Sequence, residues 1–330
     1  MNAKNNMLLA LSCKQPPDFV PIWELEFQAW DNISGKHVIL GEEFCGLSNK
    51  EKESAINNNA EILIETSVLL NFSALTTVNS YWEVSPGQPS YCWLPEEWKI
   101  KQNNLLLREC ERVGIAAVGA CGALISMPGT ENLGGDSYEE FCYRIVDAPE
   151  TIDEWVEHIC NNGIEQAKMY NDMGYDIILS PSDIADNKGL FYSPEQMKRW
   201  FFPYLHKWAE AIKSMGMHSI LHTDGNVSSI LNDLANSPLD ALQAIDPVAF
   251  MDIEKVKAQT TGKLCLCGNI ETGLLMTGPV EAIYDETRKI LANCKYGGGL
   301  ILGASNAVIK QTPKEHYLSV IDAWHKYGQY

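Results

Sequence analysis

The segment HSILHTDGN (218–226) ends an apolar run in His222, Thr223, Asp224, Gly225 and Asn226. Side chains two residues apart on a strand share a face, so His222 and Asp224 would project together from a strand end. An imidazole beside a carboxylate can bind a cation or move a proton. Other apolar runs end in the same way. Glu24 and Glu26 share a face in PIWELEFQAW (21–30) with Trp23 beside them, Asp183 ends YDIILSPSD, and Asp246 ends LDALQAID. Cys267 and Asn269 fall in KLCLCGNI, and Ser305 and Asn306 close GLILGASN.

From these positions His222, Asp224, Glu26 and Asp183 are expected to be catalytic. Glu24, Trp23, Asp246, Asn269, Ser305 and Asn306 are expected to line the substrate. A histidine alone is more often a satisfied core residue, and Cys267 alone would be a small buried hydrophobe. His222, Cys267 and Glu26 together form a candidate zinc set, because zinc takes nitrogen and sulfur donors with a carboxylate completing the shell. Neither CxxC nor HExxH spacing supports it, and acid–base chemistry without metal stays open. Cys265 and Cys267 are read as facing opposite sides of their strand, which would exclude a redox pair. The glycines and polar residues of 297–316 suggest a loop whose amides could meet an anion, followed by a capping box from Thr312 to Glu315.

Such strand ends need elements that hold them around one axis. Eight short apolar runs recur, at 19–27, 72–78, 114–121, 175–183, 218–225, 239–246, 263–270 and 299–305, and helix-length amphipathic segments alternate with them. Strands apolar on both faces and alternating with helices imply a parallel sheet, and eight imply closure into a (β/α)₈ TIM barrel. An open doubly wound sheet is the alternative, but no Rossmann fingerprint follows the first strand. The chain reads as a single domain, 1–330. The aromatic, Pro-rich insertion at 79–113 is expected, with the N-terminal segment, to cap the C-terminal mouth; an edge hairpin aiding dimer packing is the other reading.

With 25 Lys and Arg against 43 Asp and Glu, the formal charge of −18 opposes contact with nucleic acid. No uninterrupted apolar window of membrane-spanning length appears, and the start has no secretory h-region with a cleavage site, so a cytoplasmic protein is expected. The ten scattered cysteines read as reduced thiols.

The stretch SDIADNKGLFYSPEQMKRWFFPYLHKWAEAIKSMG (182–216), then HTDGN, CGNIETGLL (267–275) and GGGLILGASNAVIKQTPKEH (297–316), resembles the uroporphyrinogen decarboxylase superfamily from about residue 170 onward. The resemblance implies a (β/α)₈ barrel, usually a homodimer, and two kinds of chemistry: the haem-pathway decarboxylase, and zinc-dependent methyltransferases that exchange methyl groups with a corrinoid protein. The decarboxylase grips a polycarboxylate tetrapyrrole with an arginine-rich N-terminal motif of the form RQAGRY. Residues 21–30 of this chain contain no arginine, so such a substrate would meet repulsion where bidentate clamps are needed. The methyltransferases hold zinc on a His-x-Cys motif at the fifth strand and a cysteine in the last βα loop. Here Asp224 stands in place of the first cysteine, and the second position falls near Asn306. The resemblance therefore points to a methyltransferase that moves a methyl group from a small donor, such as a methoxylated aromatic, to a corrinoid carried by a separate protein, with zinc or a harder site at His222. The alternative is a decarboxylase or lyase acting on a small carboxylic acid.

Overall fold

The computed structural model describes residues 3–77, 80–85, 88–127 and 138–330. Among them a seven-stranded parallel sheet runs in the order Ala74–Thr76, Ala116–Ala120, Ile177–Pro181, His218–His222, Ala241–Gln243, Cys265–Cys267 and Leu300–Ile301. The eighth position is taken by the chain around Ile22, which bridges in parallel to Phe72 on one side and Leu302 on the other. The Ser73 N–H donates to Ile22 O at 2.7 Å and the Trp23 N–H to Leu302 O at 3.0 Å. The sheet therefore closes on itself and has the (β/α)₈ barrel form.

The strand period of two sorts the core into two layers. Ala74, Ala116, Val118, Ile177, Leu179, Ile220, Ala241, Cys265, Cys267 and Ile301 fill the inside of the barrel. Leu75, Ile178, Leu221, Leu242, Leu266 and Leu300 face outward into the larger core beneath the helices. The parity continues upward: Ile220 points inward, so His222 does too, and Ala241 carries Gln243 with it. Cys265 and Cys267 both belong to the inner layer. The expectation of opposite faces is thus corrected, since two-residue spacing returns a side chain to the same face.

The N-terminal elaboration is divided between the two ends of the barrel. Helix Ala3–Leu11 inserts Met7, Ala10 and Leu11 into the inner layer, and the Lys4 N–H bonds to Gly114 O just before the strand Ala116–Ala120. It therefore plugs the N-terminal end. The short helices Trp30–Ser34 and Gly41–Cys45 follow the first strand position, and Asn32 Nδ2 reaches Lys310 O and Thr312 O beyond the last strand; these sit on the rim of the mouth.

Residues 79, 86 and 87 of the expected 79–113 insertion lie outside the described residues. Strands Ser80–Ser85 and Gln88–Trp93 pair as an antiparallel hairpin. Residues Glu96–Val113 are not part of a cap: they form a wall helix that packs on helix Asn49–Leu69, with Asn59 Nδ2 bonded to Gln102 Oε1 at 3.0 Å. A Ser48–Glu51 capping box starts Asn49–Leu69. The one expected at Thr312 is absent, because helix Lys314–Tyr327 is preceded by Pro313 and the Thr312 hydroxyl turns to Met276 Sδ at 3.3 Å. Among the described residues no helix is long and apolar enough to cross a membrane.

Candidate active site

The strands Ile177–Pro181, His218–His222 and Ala241–Gln243 are neighbours in the sheet, and His222 stands directly opposite Gln243. His222 is only 6% exposed. Its Nδ1 is hydrogen-bonded to Gln243 Oε1, and its Nε2 faces Asp183 Oδ1 at 3.7 Å and Asp224 Oδ1 at 4.0 Å. One ligand atom from each of Asp183, His222 and Asp224 lies within 4.8 Å of the others, and no other group of three His, Cys, Asp or Glu does so among the described residues. The imidazole is buried, but the two carboxylates are about two-fifths exposed, so the cluster opens at one side.

Both carboxylates are held. The Asp224 N–H donates to Asp183 Oδ1 at 2.9 Å, and Asn306 Nδ2 donates to Asp224 Oδ2 at 2.5 Å. Burial pushes the Asp224 carboxyl up to about 6; the His222 charge opposes the rise, Asp183 and Asp246 add to it, and the Asn306 bond opposes it again. Glu26 is also raised, by burial first, against the pull of the Gln28 amide and of the His222 charge. Gln28 Nε2 donates to its Oε1 at 2.5 Å. Glu26 thus lies near the cluster without joining its ligand group.

The expected zinc set of His222, Cys267 and Glu26 is not assembled as a ligand cluster. Cys267 is 1% exposed and packs in the inner apolar layer, although it stands opposite Gln243 in register. The two glutamates also part company. The chain bends at Leu25 and Glu26, which breaks strand parity, so Glu26 approaches His222 while Glu24 is fully enclosed. Tyr317 donates to Glu24 Oε1 at 2.6 Å and the Ala304 N–H to Oε2 at 2.8 Å. Burial lifts this carboxyl to about 7, with both bonds opposing. Glu24 therefore ties the first strand position to the last loop and the last helix.

The remaining expected substrate residues each make bonds within the protein. Trp23 lies in the inner layer with its indole N–H on Thr76 Oγ1 at 3.0 Å. Asp246 caps the turn Pro247–Ala249 through the Val248 N–H and accepts from the Gly225 N–H. Asn269 donates to Ile245 O at 2.8 Å. Ser305 is buried, and its carbonyl receives Gln243 Nε2. Four amides of the expected anion loop are bonded within the protein: those of Ala304, Ser305, Ala307 and Val308 go to Glu24, Ile270 O, Asn306 Oδ1 and Glu26 O. Only Asn306 reaches the cluster directly, through Asp224.

Gln243, bonded to His222, is a site residue outside the set expected from the sequence. Its signal lies in LDALQAID: with Ala241 inward, the polar residue two positions on must share that inward face at the end of the strand.

A barrel whose strand ends gather an imidazole and two carboxylates at the C-terminal face has the layout of a (β/α)₈ enzyme site. The uroporphyrinogen decarboxylase (URO-D) profile matches residues 106–327, and the chain belongs to that family. Among curated relatives it is 27% identical over 134 residues to the uroporphyrinogen decarboxylase of Anaeromyxobacter dehalogenans, covering 41% of this chain and 37% of that protein. It is 22% identical over 204 residues to the methylcobamide:CoM methyltransferase MtaA of Methanosarcina barkeri, covering 61% and 57%. The matched stretch thus spans about two-fifths of the length of that decarboxylase. Among solved structures, a methyltransferase from Methanosarcina mazei shares the fold, with a TM-score of 0.68, 19% identity and 99% of each chain covered.

Proposed function

We propose that the protein is a methyltransferase that binds a small methylated donor, of the methoxylated-aromatic kind, at the barrel mouth and passes its methyl group to a corrinoid carried by a separate protein. The observation that carries this reading is the Asp183–His222–Asp224 cluster, which retains the histidine of the family's methyltransferase motif but offers oxygen where that motif has sulfur. Tetrahedral donors on arms of ~2.1 Å stand about 3.4 Å apart, so Nε2–Oδ1 separations of 3.7 and 4.0 Å need only a slight contraction to share one ion. The donors suit zinc with oxygen ligands, or a harder divalent metal, better than a thiolate-activating zinc.

When bound, such an ion supplies Lewis acidity toward an oxygen leaving group. The chain's residues do the rest. Asn306 and Asp183 hold the Asp224 carboxylate and its backbone in place. Glu26, whose burial favours its protonated form, delivers a proton to the departing oxygen, so that the methyl–oxygen bond breaks with its electron pair left on a hydroxyl, while the methyl carbon is taken by the electron pair of a reduced, cobalt(I) corrinoid acceptor. The hairpin 80–93 and the rim helices are proposed to shield the donor. The protein is proposed to work as a cytoplasmic homodimer.

The test is metal analysis of protein purified without chelator, followed by transfer from a methoxylated aromatic to cob(I)alamin read by its absorbance. Expected are about one metal ion per chain and a transfer rate that His222→Ala abolishes. Transfer that survives His222→Ala refutes the assignment. The matched decarboxylases favour a second reading, a lyase for a small carboxylic acid, which release of carbon dioxide without methyl transfer would support.

A further inference from the structure

We propose that Gln243 is a positioning residue that fixes the tautomer of His222, and that the loop 304–306 holds both arms of the site at once. Gln243 is 1% exposed, so its amide finds its partners inside the protein. Its Nε2 lies 3.1 Å from both Ala304 O and Ser305 O. Two carbonyls can only accept, so the nitrogen must occupy that end and Oε1 must face the imidazole. An amide oxygen also only accepts. The Nδ1 it touches therefore carries a proton, and whenever the ring is neutral its lone pair is on Nε2, toward Asp183 and Asp224.

The same loop sets the other arm. Asn306 donates to Asp224 Oδ2 and leaves Oδ1 turned toward His222 Nε2. The loop is in turn anchored at Ala304 by Glu24 and at Ser305 by Ile270 O. A lone pair and two carboxylate oxygens are thereby presented on the open side of the cluster without any of them having to reorient, which is the arrangement a cation or an incoming proton requires. Alternation on the strand explains how the residue comes to be there: Gln243 is the register partner of His222 and shares its inward face.

This inference gives the reacting role of the proposed function to Nε2, but its test does not depend on turnover. Metal-free protein labelled with ¹⁵N at histidine is observed by long-range ¹H–¹⁵N NMR, with the His222 signals identified by their loss in His222→Asn. The wild-type ring is expected as the Nδ1–H tautomer. In Gln243→Leu the Nε2–H form should appear, and in Gln243→Glu, which keeps an acceptor at Nδ1, the Nδ1–H form should persist. Affinity for Zn²⁺ alone, by competition with a chromophoric chelator, should fall about 10- to 100-fold in Gln243→Leu. A wild-type Nε2–H tautomer, or no change of tautomer in Gln243→Leu, overturns the proposal; if Gln243→Leu does not fold, the wild-type tautomer decides alone. The expected tautomers in a protein that binds no Zn²⁺ and transfers no methyl group would leave Gln243 in its role and remove the methyltransferase reading.

Discussion

Glu24→Gln should remove a pH-dependent loss of stability. Glu24 is completely enclosed, and burial raises its carboxyl from 4.5 to about 7 against the two bonds from Tyr317 and Ala304. A carboxyl raised on folding binds its proton more tightly in the native state than in the unfolded chain. Between pH 4.5 and about 7 the native state then carries more protons, and stability must fall as pH rises. A shift of this size corresponds to roughly 3 kcal/mol, fully expressed only above the native value. In Glu24→Gln the amide oxygen can accept from the Ala304 N–H while Nε2 donates to the Tyr317 oxygen, so both contacts survive without a titrating group, the second with its direction reversed and the Tyr317 proton without that acceptor. Urea unfolding of both proteins at pH 5, 6, 7 and 8 tests this. The variant should match or fall slightly below the wild type at pH 5 and exceed it by about 3 kcal/mol at pH 8. Asp224, also raised, titrates in both proteins and cancels in the difference. Parallel stability curves would refute the argument.

Tyr317→Phe should leave Glu24 with one bond instead of two, raise its carboxyl further, and lower stability near neutral pH by about 1–3 kcal/mol, read from the same urea midpoints. Gly225→Ala should damage both fold and site: Gly225 has φ +85° and an added Cβ would lie 2.5 Å from the backbone of Ala185. A cost of about 1–3 kcal/mol in thermal unfolding is expected and, on the proposed reading, weaker Zn²⁺ binding from the displaced Asp224. Uroporphyrinogen should yield no coproporphyrinogen by chromatography at enzyme-like rates, since residues 21–30 offer no arginine to its carboxylates. DNA and RNA should run unshifted in native gels at low salt, as the charge of −18 requires.

Much of the barrel could be read from runs of apolar residues, because parallel strands are covered on both faces and leave an unmistakable pattern. His222 and Asp224 were legible for the same reason: strand parity carries from the buried Ile220 to the first polar residue at the mouth. The failures occur where parity stops or where helices intervene. The bend at Leu25 and Glu26 sends Glu24 and Glu26 to different surroundings, and no composition rule announces a bend. Cys267 has the chemistry of a ligand and stands in register with Gln243, yet its side chain packs among the apolar residues of the inner layer, and no sequence pattern separates the two outcomes. The helix Ala3–Leu11 offers apolar residues that would serve either end of a barrel. Its partners at Gly114 and Asp176, each just before a strand, show that it closes the lower one.

On the proposed reading, the exchange of sulfur for oxygen at residue 224 is also a choice of substrate. Thiolate donors are soft and push electron density onto a metal, which suits a site that must hold and activate a thiol. A carboxylate at Asp224, steadied by Asn306 and backed by Asp183, leaves a bound ion harder and more electron-poor, and such an ion gains most by meeting an oxygen. Asp224→Cys should therefore act in two directions at once: Zn²⁺ affinity should rise while transfer from an oxygen-linked methyl donor falls. Measuring both on one preparation separates this account from simple damage, which lowers the two together. A variant that gained zinc and kept its rate would show that the donor set does not select the leaving group.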